Sequence, residues 1–370
     1  MKVKFYSMEF INDAVSDSIE ASFKSFIKDS NYILGPNLLK FEREYSNFNQ
    51  TKFCVGTSNG LDALILCLKS LNIGKGDEVI LPSNTFIATV LAVIHCNATP
   101  VFVEPDIKTF NLDHNLLESA LTTKTKAVIA VNLYGNPCDL KSILKFTQKN
   151  KIYLIEDNAQ AQGATLEDQY TGSFGDVNAV SFYPGKNLGA YGDAGAVTTN
   201  SKELDKVIRS LRNYGSSIKY QNEFIGHNFR MDECQAGFLS IKLKYLEDWN
   251  NERIKTAKLY FNELNNIEGL VLPVILKNAK SVFHIFNIRT SKRNRLKEFL
   301  PQNGIETLIH YPIPPHLQDC FKHLNFKEGS FPIAEQLANT SLSLPIWPGI
   351  EEKDILYITD KIKFFFKKES

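Results

Sequence analysis

Between about residue 50 and residue 215, short apolar runs alternate with amphipathic stretches. "FCVGTSNG" leads into the helical pattern "LDALILCLKSL", and "DEVILPSNTF" is followed by "IATVLAVIHC" and "TPVFVEP". "KAVIAVNLYG" precedes "DLKSILKFTQKN" and "KIYLIEDNA", and "VNAVSFYP", "GAVTTN" and "SKELDKVIRSLRN" complete the series. Strands that are apolar throughout are buried on both faces. Their alternation with helices predicts an α/β layer fold, with a mostly parallel sheet covered by helices on both sides.

After about residue 230 the texture changes. "MDECQAGFLSIKLKYLEDWNNERIKTAKLYFNELNN" keeps an apolar period near 3.6, which predicts one long helix. A strand-like "SVFHIFNIRT", a helix "SKRNRLKEFLPQNG", the turn "IHYPIPPHL" and an amphipathic end follow. The expected division is therefore a large domain over 1–240 and a smaller α+β domain over 241–370, hung on the long linking helix.

Charge changes this picture little. The 370 residues carry 42 Lys and Arg against 41 Asp and Glu, so no net field draws the chain to nucleic acid or membrane. An apolar fraction of 43% with 22% charged residues is that of a soluble globular protein. Six scattered cysteines form no C-x-x-C pair, which favours reduced thiols in a cytoplasmic protein. "MKVKFYSMEFINDAV" lacks the apolar core of a signal peptide, and no stretch reaches transmembrane length.

Candidate chemistry falls where strands end, the edge at which open α/β sheets bind ligands. In "GTSNGLDAL" (56–64), Gly60 and Leu61 open a helix whose free N–H groups make an anion site, although many strand-to-helix turns look like this. In "LIEDNAQAQGA" (154–164), Glu156 and Asp157 close a buried strand. A buried acid there needs a cationic or hydrogen-bonding partner, and is either a structural cap or an acid facing a protonated ring nitrogen. In "SFYPGKNLGAYGDAGA" (181–196), Ser181 offers a hydroxyl and Lys186 an amine, among glycines that allow positive φ and close backbone approach. A surface loop with a stray cation is the alternative. Taken together, an anion cradle, an acid and an amine match pyridoxal phosphate (PLP), which has a phosphate, a basic pyridine nitrogen and an aldehyde.

The segments "PSNTFIAT", "NLYGNPCDL", "EDNAQAQGA", "SFYPGKNLGAYGDAGAVTTN" and "GHNFRMDECQAGFLSIKLKYLEDWNNER" resemble the sugar aminotransferases of the DegT/DnrJ/EryC1/StrS family. The likeness runs in order from "YILGPNLLKFEREYSNF" to "HYPIPPHLQ". It implies a type I (aspartate aminotransferase-like) PLP fold and a homodimer with sites at the subunit interface. By the same resemblance, Lys186 condenses with the cofactor aldehyde and moves the proton as general acid and base. Asp157 pairs with the pyridine nitrogen, Gln160 lies near the phenolic oxygen, and Phe86 stacks on the ring. Gly60, Leu61 and Ser181 hold the phosphate, which Asn228 reaches from the other subunit. His310 and Tyr311 lie near the sugar nucleotide, with Tyr183, Tyr214, Lys219 and Tyr220 on the substrate side. His310 and His316 lack a third ligand, so no metal site is expected.

A related branch carries histidine in place of this lysine and dehydrates sugars, so Lys186 points to amino transfer. The implied donor is L-glutamate. "HNFRMDECQAGFLSIKL" resembles the pattern of 3-aminotransferases more than that of 4-aminotransferases, although Phe229 and Met231 depart from its serine and leucine. The expectation is a dTDP-3-keto-6-deoxyhexose transaminase, making a dTDP-3-amino-3,6-dideoxyhexose for a bacterial surface polysaccharide such as lipopolysaccharide O-antigen. A 4-keto-sugar or UDP-3-keto-sugar acceptor, and a PLP-binding regulator without catalysis, are the alternatives.

Overall fold

The computed structural model describes residues 2–369, so residues 1 and 370 of the expected domain spans lie outside it. Its central sheet has seven strands: β1 (Phe53–Thr57), β2 (Glu78–Pro82), β3 (Thr99–Val103), β4 (Thr125–Val131), β5 (Tyr153–Asp157), β6 (Val177–Ser181) and β7 (Gly195–Thr199). They lie in the order β1-β7-β6-β5-β4-β2-β3, parallel throughout except for β7, which runs antiparallel to both its neighbours. The uniformly apolar strands are explained by burial on two faces. Ala127, Ile129 and Val131 of β4 join one core cluster, while Val128 and Ala130 join another on the opposite side. Helices Gly60–Ser70 and Ile87–His95 pack into the first cluster, and Leu140–Asn150 into the second.

Because β7 is antiparallel to both β1 and β6, the carboxyl ends of those two strands lie at one edge. Thr57 and Ser181 are both in register with Gly195. That edge is held by a buried ion cluster. Glu42 accepts from the Gly56 amide at 2.8 Å, from Arg212 Nη1 at 2.6 Å and from Arg209 Nη1 at 2.7 Å. Arg212 Nη1 also donates to Gly56 O at 2.7 Å, so both polar groups of Gly56 are tied.

The long helix expected after residue 230 is two helices, Glu233–Leu243 and Leu246–Leu264. Between them Tyr245 N bonds Lys242 O, an i→i−3 contact that tightens the turn and redirects the axis. The apolar period survives the break because each half serves a different core. Ala236 and Leu239 pack with Phe41 and Phe182, whereas Ala257 and Tyr260 pack with Phe286, Leu342 and Ile358. The strands Phe286–Arg289 and Ser341–Leu344 pair antiparallel within this second unit. Two segments cross the expected division at residue 240. Val3 bridges to Ile305 and joins the C-terminal core, while Phe321 and Leu337 pack on the large sheet's core.

Replacing Glu42 with Ala leaves the buried Arg212 without its carboxylate, leaves Arg209 with Asp205 alone, and frees the Gly56 amide. The expected loss is about 3–5 kcal/mol of unfolding free energy, read from urea denaturation. A loss of under about 1 kcal/mol would mean that the cluster does not hold the strand edge.

Candidate active site

The sheet's carboxyl edge opens into a cavity of about 660 Å³. Ten of the expected residues line it: Gly60, Leu61, Phe86, Asp157, Gln160, Ser181, Tyr183, Lys186, His310 and Tyr311.

One end of the cavity is a cradle made by close approach. Helix Gly60–Ser70 starts there, with Asn59 as its cap accepting from Asp62 N at 2.9 Å. The amides of Gly60 and Leu61 lie in the first turn, where no intrahelical acceptor exists. A Cβ on Gly60 would lie 2.7 Å from Ser181 Cβ, and one on Gly195 would lie 2.4 Å from the Asn59 carbonyl. Only glycines let the strand edge, the helix N-terminus and the Ser181 hydroxyl converge. In the loop after Ser181 the same close approach recurs at Gly189. None of Gly185, Gly189, Gly192 and Gly195 is left-handed, and a Cβ on Gly189 would lie 2.2 Å from Pro184 O.

The acid pair at the end of β5 divides between two tasks because adjacent strand residues face opposite sides. Glu156 turns inward, accepting from the amides of Gly172 at 2.8 Å, Phe174 at 2.7 Å and Gly175 at 3.2 Å, and from Asn132 Nδ2 at 2.9 Å. Asp157 turns to the cavity, accepting from Thr89 Oγ1 at 2.8 Å and Ala159 N at 3.2 Å. Burial pushes its carboxyl upward, and those two donors and the Lys186 charge pull it back only in part. Burial also pushes the Lys186 amine down to about 8, against the opposing pull of Asp157.

Phe86 is 49% exposed, so it is a wall of the cavity and not packed core, with the Tyr311 ring 5.3 Å away. Gln160 accepts from Tyr134 N at 2.7 Å and donates to Tyr311 Oη at 3.1 Å. His310 shares a hydrogen bond with Ser343 Oγ at 2.9 Å, and burial and then the Lys186 charge push it down to about 4. It is therefore a neutral imidazole at pH 7.

Four expected residues do not reach this cavity within the chain. Tyr214, Lys219, Tyr220 and Asn228 belong to a projecting hairpin whose base is tied to the end of helix Lys202–Leu211 by His227 N→Leu211 O at 2.7 Å. Tyr220 is 87% exposed, Lys219 lies over its ring at 5.0 Å, and Asn228 is exposed beside Asn213. Among the described residues no cluster of His, Cys, Asp and Glu could hold a metal ion, and no helix is long and apolar enough to cross a membrane.

The DegT/DnrJ/EryC1/StrS aminotransferase family matches over residues 14–363. The chain belongs to this family. A dTDP-3-amino-3,6-dideoxy-alpha-D-galactopyranose transaminase of Aneurinibacillus thermoaerophilus is 43% identical over 360 residues, covering 97% of this chain and 98% of its own. A dTDP-3-amino-3,4,6-trideoxy-alpha-D-glucose transaminase of Streptomyces venezuelae is 41% identical over 362 residues, with 98% and 96% covered. The crystal structure of DesV from S. venezuelae in complex with a ketimine intermediate superposes with a TM-score of 0.97 at 41% identity, covering 99% of each chain. This member of the family is a PLP-dependent transaminase with the type I transferase fold.

The residues present fit that cofactor. The glycine cradle suits a phosphate. The buried, under-compensated Asp157 suits a protonated ring nitrogen, and the exposed face of Phe86 suits a flat ring. Several groups at the site were not singled out from the sequence: Thr89, buried behind Asp157 and holding it, and the lining residues Phe5, Tyr6 and His284, which arrive from distant segments. Only Thr89 had a findable signal, since Thr85 and Thr89 are one helical turn apart beside Phe86 and their hydroxyls pair at 2.8 Å.

Acylation of a lysine needs its neutral amine. In the cofactor-free chain, Lys186 labelling should therefore rise through a midpoint near pH 8, while an ordinary lysine keeps its value of 10.5. Quantitative peptide mass spectrometry after brief acetic anhydride treatment reads this. A midpoint shared with the surface lysines would contradict the desolvated site.

Proposed function

We propose that this enzyme moves an amino group from L-glutamate to C3 of a dTDP-3-keto-6-deoxyhexose. The product is a dTDP-3-amino-3,6-dideoxyhexose made in the cytoplasm for a surface polysaccharide such as lipopolysaccharide O-antigen. The observation that carries the amino-transfer chemistry is the placing of Lys186 and Asp157 in one cavity, each shifted by burial toward its neutral form. The activities of the two relatives at 41% and 43% identity support C3 and dTDP as the acceptor's features.

When bound, the cofactor supplies an electrophilic carbon and a ring that withdraws electrons from the bonds formed there. Lys186 takes the proton from the Cα of the donor and returns it on the other side of the transfer. An amine near pH 8 can do both. Asp157 keeps the ring nitrogen protonated. The amides of Gly60 and Leu61 and the Ser181 hydroxyl hold the phosphate, Phe86 lies against the ring, and Gln160 faces the phenolic oxygen. His310, Tyr311 and Tyr183 line the sugar side.

The exposed Asn228 then serves the phosphate of a second subunit in a homodimer. Tyr214, Lys219 and Tyr220 project toward that partner's substrate. Residues 1–240 make the cofactor-binding domain and 241–370 the smaller one, allowing for the segments that cross between them.

Lys186→Ala should lower turnover by about a thousandfold or more while the cofactor stays bound without a covalent link. Asp157→Asn should lower it by roughly a hundredfold. Enzyme converted by glutamate to its amino form should return to its starting absorbance with dTDP-3-keto-6-deoxy sugars and not with dTDP-4-keto-6-deoxyglucose, with the product identified by NMR. Full turnover by Lys186→Ala would remove the lysine's role, and return only with the 4-keto sugar would move the aminated carbon.

A further inference from the structure

Strand β4 ends at Val131, and the turn that follows is laced to the end of β5. Asn132 N donates to the Asp157 carbonyl at 3.1 Å, and Tyr134 N donates to Gln160 Oε1 at 2.7 Å. Tyr134 is left-handed at φ 61°, a conformation that a residue with a side chain takes only where its contacts demand it. From there its carbonyl accepts from Ile285 N at 3.3 Å, and the Gly135 carbonyl accepts from Val282 N at 3.0 Å and Ser281 Oγ at 2.9 Å. One turn therefore ties the strand ends of the large sheet to the segment that leads into strand Phe286–Arg289.

The Tyr134 side chain makes a further tie. Its ring is buried, edge-on to Phe110 at 5.6 Å, and its hydroxyl donates to the His310 carbonyl. A carbonyl can only accept, so the direction of this bond is fixed. Burial first, then Tyr311, hold the Tyr134 phenol well above its ordinary value, and it stays a donor. On its other side the His310 segment is bound to strand Ser341–Leu344, through Ser343 N→Leu308 O at 2.8 Å and the His310 contact with Ser343 Oγ. The next residue, Tyr311, receives the Gln160 N–H at 3.1 Å. Its own hydroxyl proton has no acceptor among the described residues and is free for an oxygen in the cavity. Tyr134 thus holds both members of the Gln160–Tyr311 pair, one through its amide and the other through the neighbouring backbone.

We propose that Tyr134 is a positioning residue that registers Tyr311 against the sugar acceptor, by pinning the His310 carbonyl with its hydroxyl while its amide fixes Gln160. The two ties can be separated. The amide survives a change of side chain, so the cofactor side keeps its anchor. The hydroxyl serves the sugar side alone.

This inference rests on the reading that glutamate and a dTDP-3-keto-6-deoxyhexose react in separate halves of the cycle, but one of its readouts needs no substrate. Tyr134→Phe keeps the ring and deletes the hydroxyl in the full-length, cofactor-loaded enzyme. Each half-reaction is followed by the cofactor's absorbance in a single turnover. The sugar half should slow about tenfold and the glutamate half should stay within about twofold of the parent. In a Tyr311→Phe background the same change should cost the sugar half less than about threefold.

Nitration by tetranitromethane, located by quantitative peptide mass spectrometry, reads the freedom of Tyr311 directly. In the Tyr134→Phe variant it should rise about fivefold at Tyr311 relative to the exposed Tyr220, with the fully buried Tyr45 and Tyr260 still protected. Unchanged nitration at Tyr311, equal losses in the two half-reactions, or a full tenfold loss in the Tyr311→Phe background would overturn the proposal. So would a rise at Tyr45 and Tyr260 as well, which would make the hydroxyl a support of the whole fold. A parent enzyme that fails to react with dTDP-3-keto-6-deoxy sugars would instead sink the acceptor reading, and the nitration pattern would still decide the role of Tyr134.

Discussion

Asp157 and Lys186 share a largely apolar cavity, and the free-energy cost of holding two ionisable groups out of water organises what surrounds them. Each is pushed toward its neutral form, the carboxyl upward and the amine down to about 8, and each charge relieves the other only in part. Keeping them in place takes rigid supports. Thr89 and the Ala159 amide hold the carboxylate. The lysine loop is closed by Phe182 N→Ala194 O and Ala190 N→Phe182 O, both at 2.8 Å, and is clamped from below by Lys242 Nζ on Gly189 O at 2.8 Å. A cofactor with a cationic ring nitrogen and a reactive carbonyl carbon satisfies both groups at once.

The same economy of position appears in the two carboxylates that end β5. One residue of pleat separates them, and it gives Glu156 to the protein's own amides and Asp157 to the cavity. Glycine works likewise at the strand edge, where Gly60 and Gly195 matter for the side chains they lack. An alanine at either position would push Ser181 or Asn59 out of the cradle. The ion cluster around Glu42 then fixes Gly56, so the register of β1 against β7 carries directly to the start of the helix at Gly60.

Local sequence was enough to bring together groups that lie at or beside a strand end. Gly60, Asp157, Ser181 and Lys186 each sit in a stretch whose pattern announces a strand, a turn and small residues, and the fold brings those stretches to one edge. What local pattern could not show falls into two kinds. His284, Phe5 and Tyr6 reach the cavity from segments far from Lys186 along the chain, so no spacing ties them to it. The break at Lys244–Tyr245 leaves the helical period intact, because both halves bury an apolar face, only against different cores. Tyr214, Lys219 and Tyr220 suit a substrate by residue type, yet the hairpin carries them away from their own chain's cavity. Chain geometry, and not composition, decides which site such a hairpin can serve.

The account turns on one bond, between the cofactor and the amine of Lys186. Borohydride reduction of the purified enzyme makes that link permanent, and peptide mass spectrometry then locates it. The account predicts the phosphopyridoxyl mass on the peptide containing "SFYPGKNLGAYGDAGA", at Lys186, and on no other lysine. The same mass on a different lysine, or a reduced enzyme with no modified peptide, would contradict it.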